Sequence, residues 1–422
     1  MTESFLHYIW QFQYFEKADL ATSAGERLTV FQPGFRNAHA GPDFSEAKIK
    51  IDNLEWRGSV EIHINASGWN DHRHGDDQAY ENVVLHVVWE NDKPIKRTDG
   101  TVMPTLELKS RVNPDLWNHY KKLFTSVESI PCSNHWPKIS ALVKLSMLEK
   151  TVVQRLELKA QGVMDILVKN NNDWEETCYQ LLFKNFGFKV NADPMVQLAH
   201  SLPFKVLMKH PAQLEALLFG QAGFLEKAKA DEYVIELKRE YDLLKKKYNL
   251  TSKMMNEAQW RFLRLRPGNF PTVRLAQLAA LFAHRKNMFS EIIEADSYRR
   301  IVDLLDTDQS RYWQQHYRFG KQSKTKVPGI GKSSIDNIVI NTVAPLLTAY
   351  GKIHDDVLFV ERAVEWLQNI PAENNKITRA WAGIGHNVTS AFDSQGLIEL
   401  YNTYCLKRKC LECAVGSAII QS

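Results

Sequence analysis

The sequence predicts a mixed α+β protein in which an α/β domain, residues 1–127, is followed by a larger all-helical domain, residues 128–422. Three observations carry that expectation. The segments EAKIKID (46–52) and SVEIHIN (59–65) alternate apolar and polar residues with the period of a half-buried strand. VVLHVVW (83–89) is a nearly continuous apolar run, mostly β-branched, as in a strand covered on both faces. From Asn113 onward the pattern changes to long amphipathic stretches such as ALVKLSMLEKTVVQRLELKAQGVMDILVKN, whose apolar positions recur at helical spacing.

In chain order, Phe5 to Phe15 is aromatic-rich and helical, and GERLTVFQPG ends in a Pro-Gly turn signal that makes Arg27 to Phe31 a strand. In the next strand Ile49 and Ile51 share one side of the pleat. In the strand after it Val60, Ile62 and Ile64 face one way, and Glu61, His63 and Asn65 face the other. NDHRHGDDQAYEN (70–82) is polar and reads as a loop entering a short helix, and TLELKSRV (105–112) closes the α/β part. Turn residues and two prolines in TSVESIPCSNHWPK place the boundary near Ser126 to Pro137. No fixed-period repeat runs through the helical part, so a solenoid is not supported.

A net charge of +4 over 422 residues neither demands nor repels a polyanionic partner. Five cysteines, an odd number without recurring paired spacing, argue against a disulfide framework and for reduced thiols. The first residues lack a basic segment followed by a cleavage site, and no apolar run is long enough to span a bilayer. The expectation is a cytoplasmic protein with no membrane partner.

The chemistry-bearing stretch is GPDFSEAKIKIDNLEWRGSVEIHINASGW, from Gly41 to Trp69. Asp43 stands at the mouth of one strand, and Glu61 and His63, two apart, project from one face of the next. Two carboxylates converging from adjacent strands suit a hard divalent cation, and a base beside them suits activation of a water. The order helix, strand, strand, strand, helix, strand around these residues resembles the PD-(D/E)XK phosphodiesterase superfamily. That resemblance implies an αβββαβ domain, Mg²⁺ or Mn²⁺ held by Asp43 and Glu61, and catalysis by Asp43, Glu61 and His63 on a nucleic-acid substrate. His63 takes the place of the usual lysine, an imidazole instead of a fixed cation. Lys48 and Lys50 are the neighbouring sources of positive charge, and Glu46 a further ligand.

His39, His63, His72, His74 and His86 crowd the same region. His72 and His74 have two readings: nitrogen ligands of a metal site suited to Zn²⁺ or Mn²⁺, or residues of a solvated loop. His86 reads as a hydrogen-bonded histidine within the sheet. At the other end, YCLKRKCLECAVG spaces Cys405, Cys410 and Cys413 as C-x4-C-x2-C, enough to wrap Zn²⁺ or an iron-sulfur cluster with a distant fourth ligand, Cys132, Cys178 or His386, of which Cys132 is preferred. The same three residues also read as small apolar packing.

RFLRLRPGNFPTVRLAQLAALF sets Arg264, Arg266 and Arg274 around a Pro-Gly-Asn turn, interleaved with Trp260, Phe262 and Phe270, and is the preferred nucleic-acid contact. The lysine run in KREYDLLKKK reads as a solvated helix face. VPGIGKSS lacks the first glycine of a phosphate-binding loop and reads as a loop entering a helix.

GPDF, W-x-G-x-VEIH, LHVV, RPGNFP and CLECAVG, in that order, make the chain similar over nearly its whole length to an uncharacterised bacterial family, domain of unknown function 2851. That family implies no activity. The residues themselves point to a metal-dependent nucleic-acid phosphodiesterase with a helical substrate-binding part. The alternative is a catalytically inactive nucleic-acid-binding or scaffold protein that retains the fold.

Overall fold

Two antiparallel steps and two parallel steps build the sheet on which the candidate residues sit. Strands β1 (Leu28–Gln32), β3 (Phe44–Ile51), β4 (Leu54–Asn65), β5 (Val83–Glu90) and β6 (Thr105–Glu107) lie in that order, and β2 (Phe35–Arg36) also pairs with β3. The pairs β1/β3, β2/β3 and β3/β4 are antiparallel; β4/β5 and β5/β6 are parallel. The computed structural model describes residues 1–422 apart from Ala38 and Ala230. It divides into a first unit, Met1–Met147 with Tyr401–Ser422, and a second, Leu148–Leu400. The mixed α+β character expected from the periodicity is what the chain adopts.

A parallel step cannot be closed by a tight turn, so the chain must cross over between β4 and β5. Residues 66–82 make that crossover through helix α2 (Gly68–Asp71) and two 3₁₀ turns, His74–Asp76 and Gln78–Tyr80. The crossover leaves from the end of β4 that carries His63. This is why a polar loop in the sequence ends up against the sheet.

β4 is covered on both faces around its middle: Val60, Glu61, Ile62 and His63 are all buried. Period-two alternation therefore separates apolar from polar side chains here, but not dry from wet. β5 is buried from Val83 to Val88, as its β-branched run requires. Helix α1 (Glu3–Phe12), capped by the Thr2 hydroxyl, packs against β4 and buries Phe5, Leu6, Ile9 and Trp10. Helix α3 (Pro114–Phe124) begins with Asn113 as N-cap and Pro114 in its first turn. The helix Ala414–Ile420 packs on α3, and Ser417 Oγ lies 2.8 Å from Tyr8 Oη.

The second unit is helical around an aromatic core in which Tyr179, Phe183, Phe204 and Phe282 are in mutual ring contact. Some polar side chains inside it are held by internal hydrogen bonds. Lys159 donates to Ile340 O, Asn341 Oδ1 and Gln395 Oε1 at 2.9–3.2 Å. The VPGIGKSS segment enters the seven-residue helix Lys332–Ile338, with Gly331 as its N-cap, as a loop followed by a helix start. The lysine run lies on the helix Glu232–Lys247, whose buried residues are Val234, Leu237, Tyr241 and Leu244. Among the described residues no helix is long and apolar enough to cross a membrane.

Arg274 corrects the expected nucleic-acid contact. It is buried, donates to Asn269 Oδ1, Gln277 Oε1 and Ser334 Oγ, and stacks on the Phe188 ring at 4.5 Å. Its guanidinium ties the Pro-Gly-Asn turn to the helix Lys332–Ile338 and is shielded from solvent. Phe262 and Phe270 contact each other, and the Arg318 guanidinium covers both, at 4.0 and 4.9 Å. Those rings are therefore not open stacking platforms. Arg264 and Arg266 are exposed, Arg264 at a left-handed φ of 63°. Read by urea titration, Arg274→Met should destabilise the second unit by about 3 kcal/mol, because the buried Gln277 Oε1 and the part-buried bonds to Asn269 and Ser334 lose a charged donor. Arg264→Ala and Arg266→Ala should stay within about 0.5 kcal/mol of the parent in the same urea titration.

Candidate metal centre

The Phe44↔Val60 pair of the β3/β4 ladder sets Asp43 beside Glu61. The two acids exchange backbone hydrogen bonds: Asp43 N–H donates to Glu61 Oε2, and Ile62 N–H donates to Asp43 Oδ2, each at 3.0 Å. Each carboxylate is thus fixed by the other's strand. The loop before β3 is held by Asn37, whose side chain donates to Pro42 O and whose N–H donates to Asp43 O. His7 of α1 completes this side, with Nε2 3.1 Å from Asp43 Oδ2.

On the other side of Glu61 stand the histidines. Glu61 Oε1 lies 3.2 Å from His74 Nε2 and 3.9 Å from His63 Nε2. His63 Nε2 lies 3.2 Å from His72 Nδ1, and His63 Nδ1 lies 2.9 Å from His86 Nε2. One ring nitrogen from each of His63, His72 and His74 falls within 4.8 Å of the other two. His63 comes from β4, and His72 and His74 come from the crossover; β5 supplies His86 as the direct neighbour of Glu61 in the ladder.

Packing locks the rings. The Trp69 indole meets His74 and His86 edge to face, and Tyr80 stacks on His74 with ring centroids 3.9 Å apart. Trp69 itself is anchored with Ala66, Val83, Val88, Ile95 and Met103. Gly68 backs onto His63: a Cβ at position 68 would stand 2.8 Å from His63 Cδ2. Any side chain there drives the ring from its place.

Burial sets the protonation states. The Glu61 carboxyl is pushed up to about 8, first by desolvation and then by the neighbouring Asp43 charge. His63 is pushed down to about 4 by burial, with His74 and His72 adding to it, and His86 to about 3 by burial and then His63. His74 is lowered for the same reason, with His72 as its second cause. Burial thus favours the neutral forms of His63, His74, His86 and Glu61. Nδ1 of His86 and Nε1 of Trp69 are buried without a hydrogen-bond partner among the described residues.

Three imidazoles with a carboxyl at hand are a donor set for Zn²⁺, and one that Mn²⁺ accepts more readily than Mg²⁺ does. Mg²⁺ demands oxygen donors and retained waters, and so fits less well than the acidic motif alone implied. His63, His72 and His74 would hold the ion through nitrogen, with Glu61 as the oxygen donor. His86 would then accept from His63 Nδ1–H and fix its tautomer.

Most of the expected site residues come together. Asp43, Glu61, His63, His72 and His74 form one cluster; of the two readings of the crossover histidines, the loop carries them onto the sheet, with His72 exposed and His74 buried. His86 is a hydrogen-bonded histidine within the sheet, as read. Glu46 and Lys48 do not complete the site: both line a separate cleft with Gln32, Arg57, Gly58 and Asn82, and Lys48 pairs with Glu55 at 3.1 Å. His39 is exposed on the loop before β3. His7 was missed. It sits on a helix whose middle is core, between Leu6 and Tyr8, and no local pattern joins it to Asp43.

The strand order and this cluster define an α+β protein with a histidine-rich candidate metal site. The chain matches the family described as "Protein of unknown function (DUF2851)" over residues 3–376 and belongs to it. No curated protein and no solved structure matches the chain.

Gly68→Ala should weaken Mn²⁺ or Co²⁺ binding about 10-fold or more at unchanged helix content, as read by titration and circular dichroism. A second expectation concerns stability in chelator. Glu61 has a raised folded pKa, so its contribution is full below pH 4.5 and is lost as pH rises through about 8. His63 and His86 have lowered folded values, so stability is lost as pH falls from 6.5 toward 4. Glu61→Gln should remove the alkaline loss of melting temperature and keep the acidic one.

Proposed function

We propose that the first unit is a metal-dependent phosphodiesterase of the PD-(D/E)XK type, acting on nucleic acid, with a borderline divalent ion in place of Mg²⁺. The observation that carries this reading is the pairing of Asp43 and Glu61 across β3 and β4, directly beside His63, His72 and His74. The arrangement of α1, an antiparallel β3/β4 pair and a parallel β5 reached by a crossover supports it. So does the placing of one acid at the start of β3 and an acid-x-histidine triplet within β4.

When bound, the ion would act as a Lewis acid on a phosphoryl oxygen and lower the pKa of a bound water. The remaining work falls to the chain. Glu61, which burial biases toward its protonated form, would release that proton to solvent on holding a cation through Oε1, and would orient an incoming water while Oε2 stays on Asp43 N–H. Asp43 holds His7 at the edge of the site and keeps the β4 backbone aligned through Ile62 N–H. Tyr80 and Trp69 exclude solvent from one side of the histidines.

A polymer substrate is supported by a cationic and aromatic patch on the same unit. Lys48 and Arg57 are ladder neighbours, and Lys48 Nζ lies 5.1 Å from the centroid of the half-exposed Phe31 ring. Cations beside an open ring follow a nucleic-acid backbone and stack on bases. In the second unit Arg264 and Arg266 remain as exposed contacts.

One observation favours the second reading, a binding protein without turnover: His63 stands where a fixed cation is expected, and Lys48 is turned to Glu55. The test is cleavage of single-stranded DNA, duplex DNA and RNA by the full chain in Mn²⁺, Zn²⁺ and Mg²⁺. Expected is cleavage strongest in Mn²⁺ or Zn²⁺, reduced about 100-fold or more by Asp43→Asn and by Glu61→Gln. Binding without cleavage in any of the three metals supports the second reading. Neither binding nor cleavage sinks both.

A further inference from the structure

We infer that Cys132, Cys405, Cys410 and Cys413 form a tetrathiolate metal centre in the first unit, separate from the histidine site and independent of the reading above. All four are buried and line a single small cavity together with Pro131, Tyr404, Lys409 and Gly416. They come from two segments far apart in sequence. Cys132 lies in the turn after α3, where its carbonyl accepts from His135 N–H and Trp136 N–H. Cys405 ends the π-helical turn Leu400–Cys405, Cys410 opens the 3₁₀ turn Cys410–Glu412, and Cys413 is the N-cap of the helix Ala414–Ile420.

The backbone is shaped to bring the two segments together. Arg408 takes a left-handed φ of 53°, which reverses the chain between Cys405 and Cys410. Its guanidinium donates to Ser126 O at 2.7 Å and Glu128 O at 3.0 Å and so fastens the late segment to the loop that carries Cys132. Gly416 lets the last turn close: a Cβ there would stand 2.1 Å from Cys410 O. Any larger residue separates Cys410 from the helix that Cys413 caps.

The charge arrangement fits a thiolate centre. Four thiolates with one divalent ion, or with a [4Fe–4S]²⁺ cluster, carry a net charge of −2. Lys409 lines the cavity, and Arg408 acts electrostatically on both Cys405 and Cys410. Without a metal the same burial holds the thiols neutral: Cys132 is pushed up to about 12 and Cys410 to about 11, by desolvation first and then by neighbouring cysteines. A thiophilic ion among the four sulfurs would favour the thiolate forms that burial alone opposes.

Cys178, the remaining cysteine, is buried in the helix Trp174–Phe186 of the second unit and serves as the internal control. The test uses full-length protein purified anaerobically from medium supplemented with zinc and iron. Metal is measured by mass spectrometry, acid-labile sulfide by assay, and ligand atoms by X-ray absorption. The His72→Ala background removes nitrogen-held metal. Expected is about one zinc, or iron with matching sulfide, and about four sulfur neighbours per metal site; the sulfide assay separates the two forms. Cys132→Ser and Cys410→Ser should lower the content at least 10-fold, and Cys178→Ser should leave it unchanged. The absorption measurement needs no cysteine variant, so poor folding of a serine variant cannot obscure the result. Metal without sulfur neighbours, or a folded protein without metal in the His72→Ala background, would overturn the inference.

Discussion

A carboxyl group buried in the middle of a sheet must be neutral, paired or bound to a cation, and the first unit is organised around that constraint at Glu61. The backbone of β3 donates to one of its oxygens, and His74 and His63 approach the other. Those histidines are uncharged for the same reason that Glu61 is protonated: there is no water to solvate a charge. Trp69, Tyr80 and Gly68 keep the neutral Glu61, His63 and His74 aligned around this point.

The second unit solves the same problem differently. Lys159 and Arg274 donate to neutral oxygens: Ile340 O, Asn341 Oδ1 and Gln395 Oε1, all far along the chain, around Lys159, and the nearby Asn269 and Gln277 with the distant Ser334 around Arg274. Burial pushes Lys159 down to about 7 and Arg274 to about 10. Arg274 therefore stays charged at neutral pH, and its role is to join a turn to a helix. The exposed Arg264 and Arg266 are its neighbours in sequence but not in function.

Much of the first unit was legible because strands announce their faces. Asp43, Glu61 and His63 follow from a Pro-Asp at a strand mouth and period-two alternation, and β5 follows from its β-branched run. The crossover was harder: polarity in residues 70–82 marks a loop, but only the parallel pairing of β4 with β5 forces that loop over the sheet, where His72 and His74 join His63. His7 was illegible because its partner Asp43 lies across a long-range helix–strand contact. Arg274 was misread because a Pro-Gly-Asn turn flanked by arginines looks like surface. What buries it, Phe188 and Ser334, is distant in sequence. The C-x4-C-x2-C spacing was visible, but nothing local told that Cys132 lines the same small cavity as those three cysteines.

That membership also bears on synthesis. The first unit comprises residues 1–147 and 401–422, and all of the second unit is encoded between them. On a ribosome the sheet and its histidines emerge early, yet the helix Ala414–Ile420, the Arg408 anchor and three of the four cysteines come last. At 5–20 residues per second, about 10 to 50 s separate the two parts. During that interval α3 and Tyr8 lack the surface they finally pack against, so a nascent first unit presents an exposed apolar face until residues 401–422 are made.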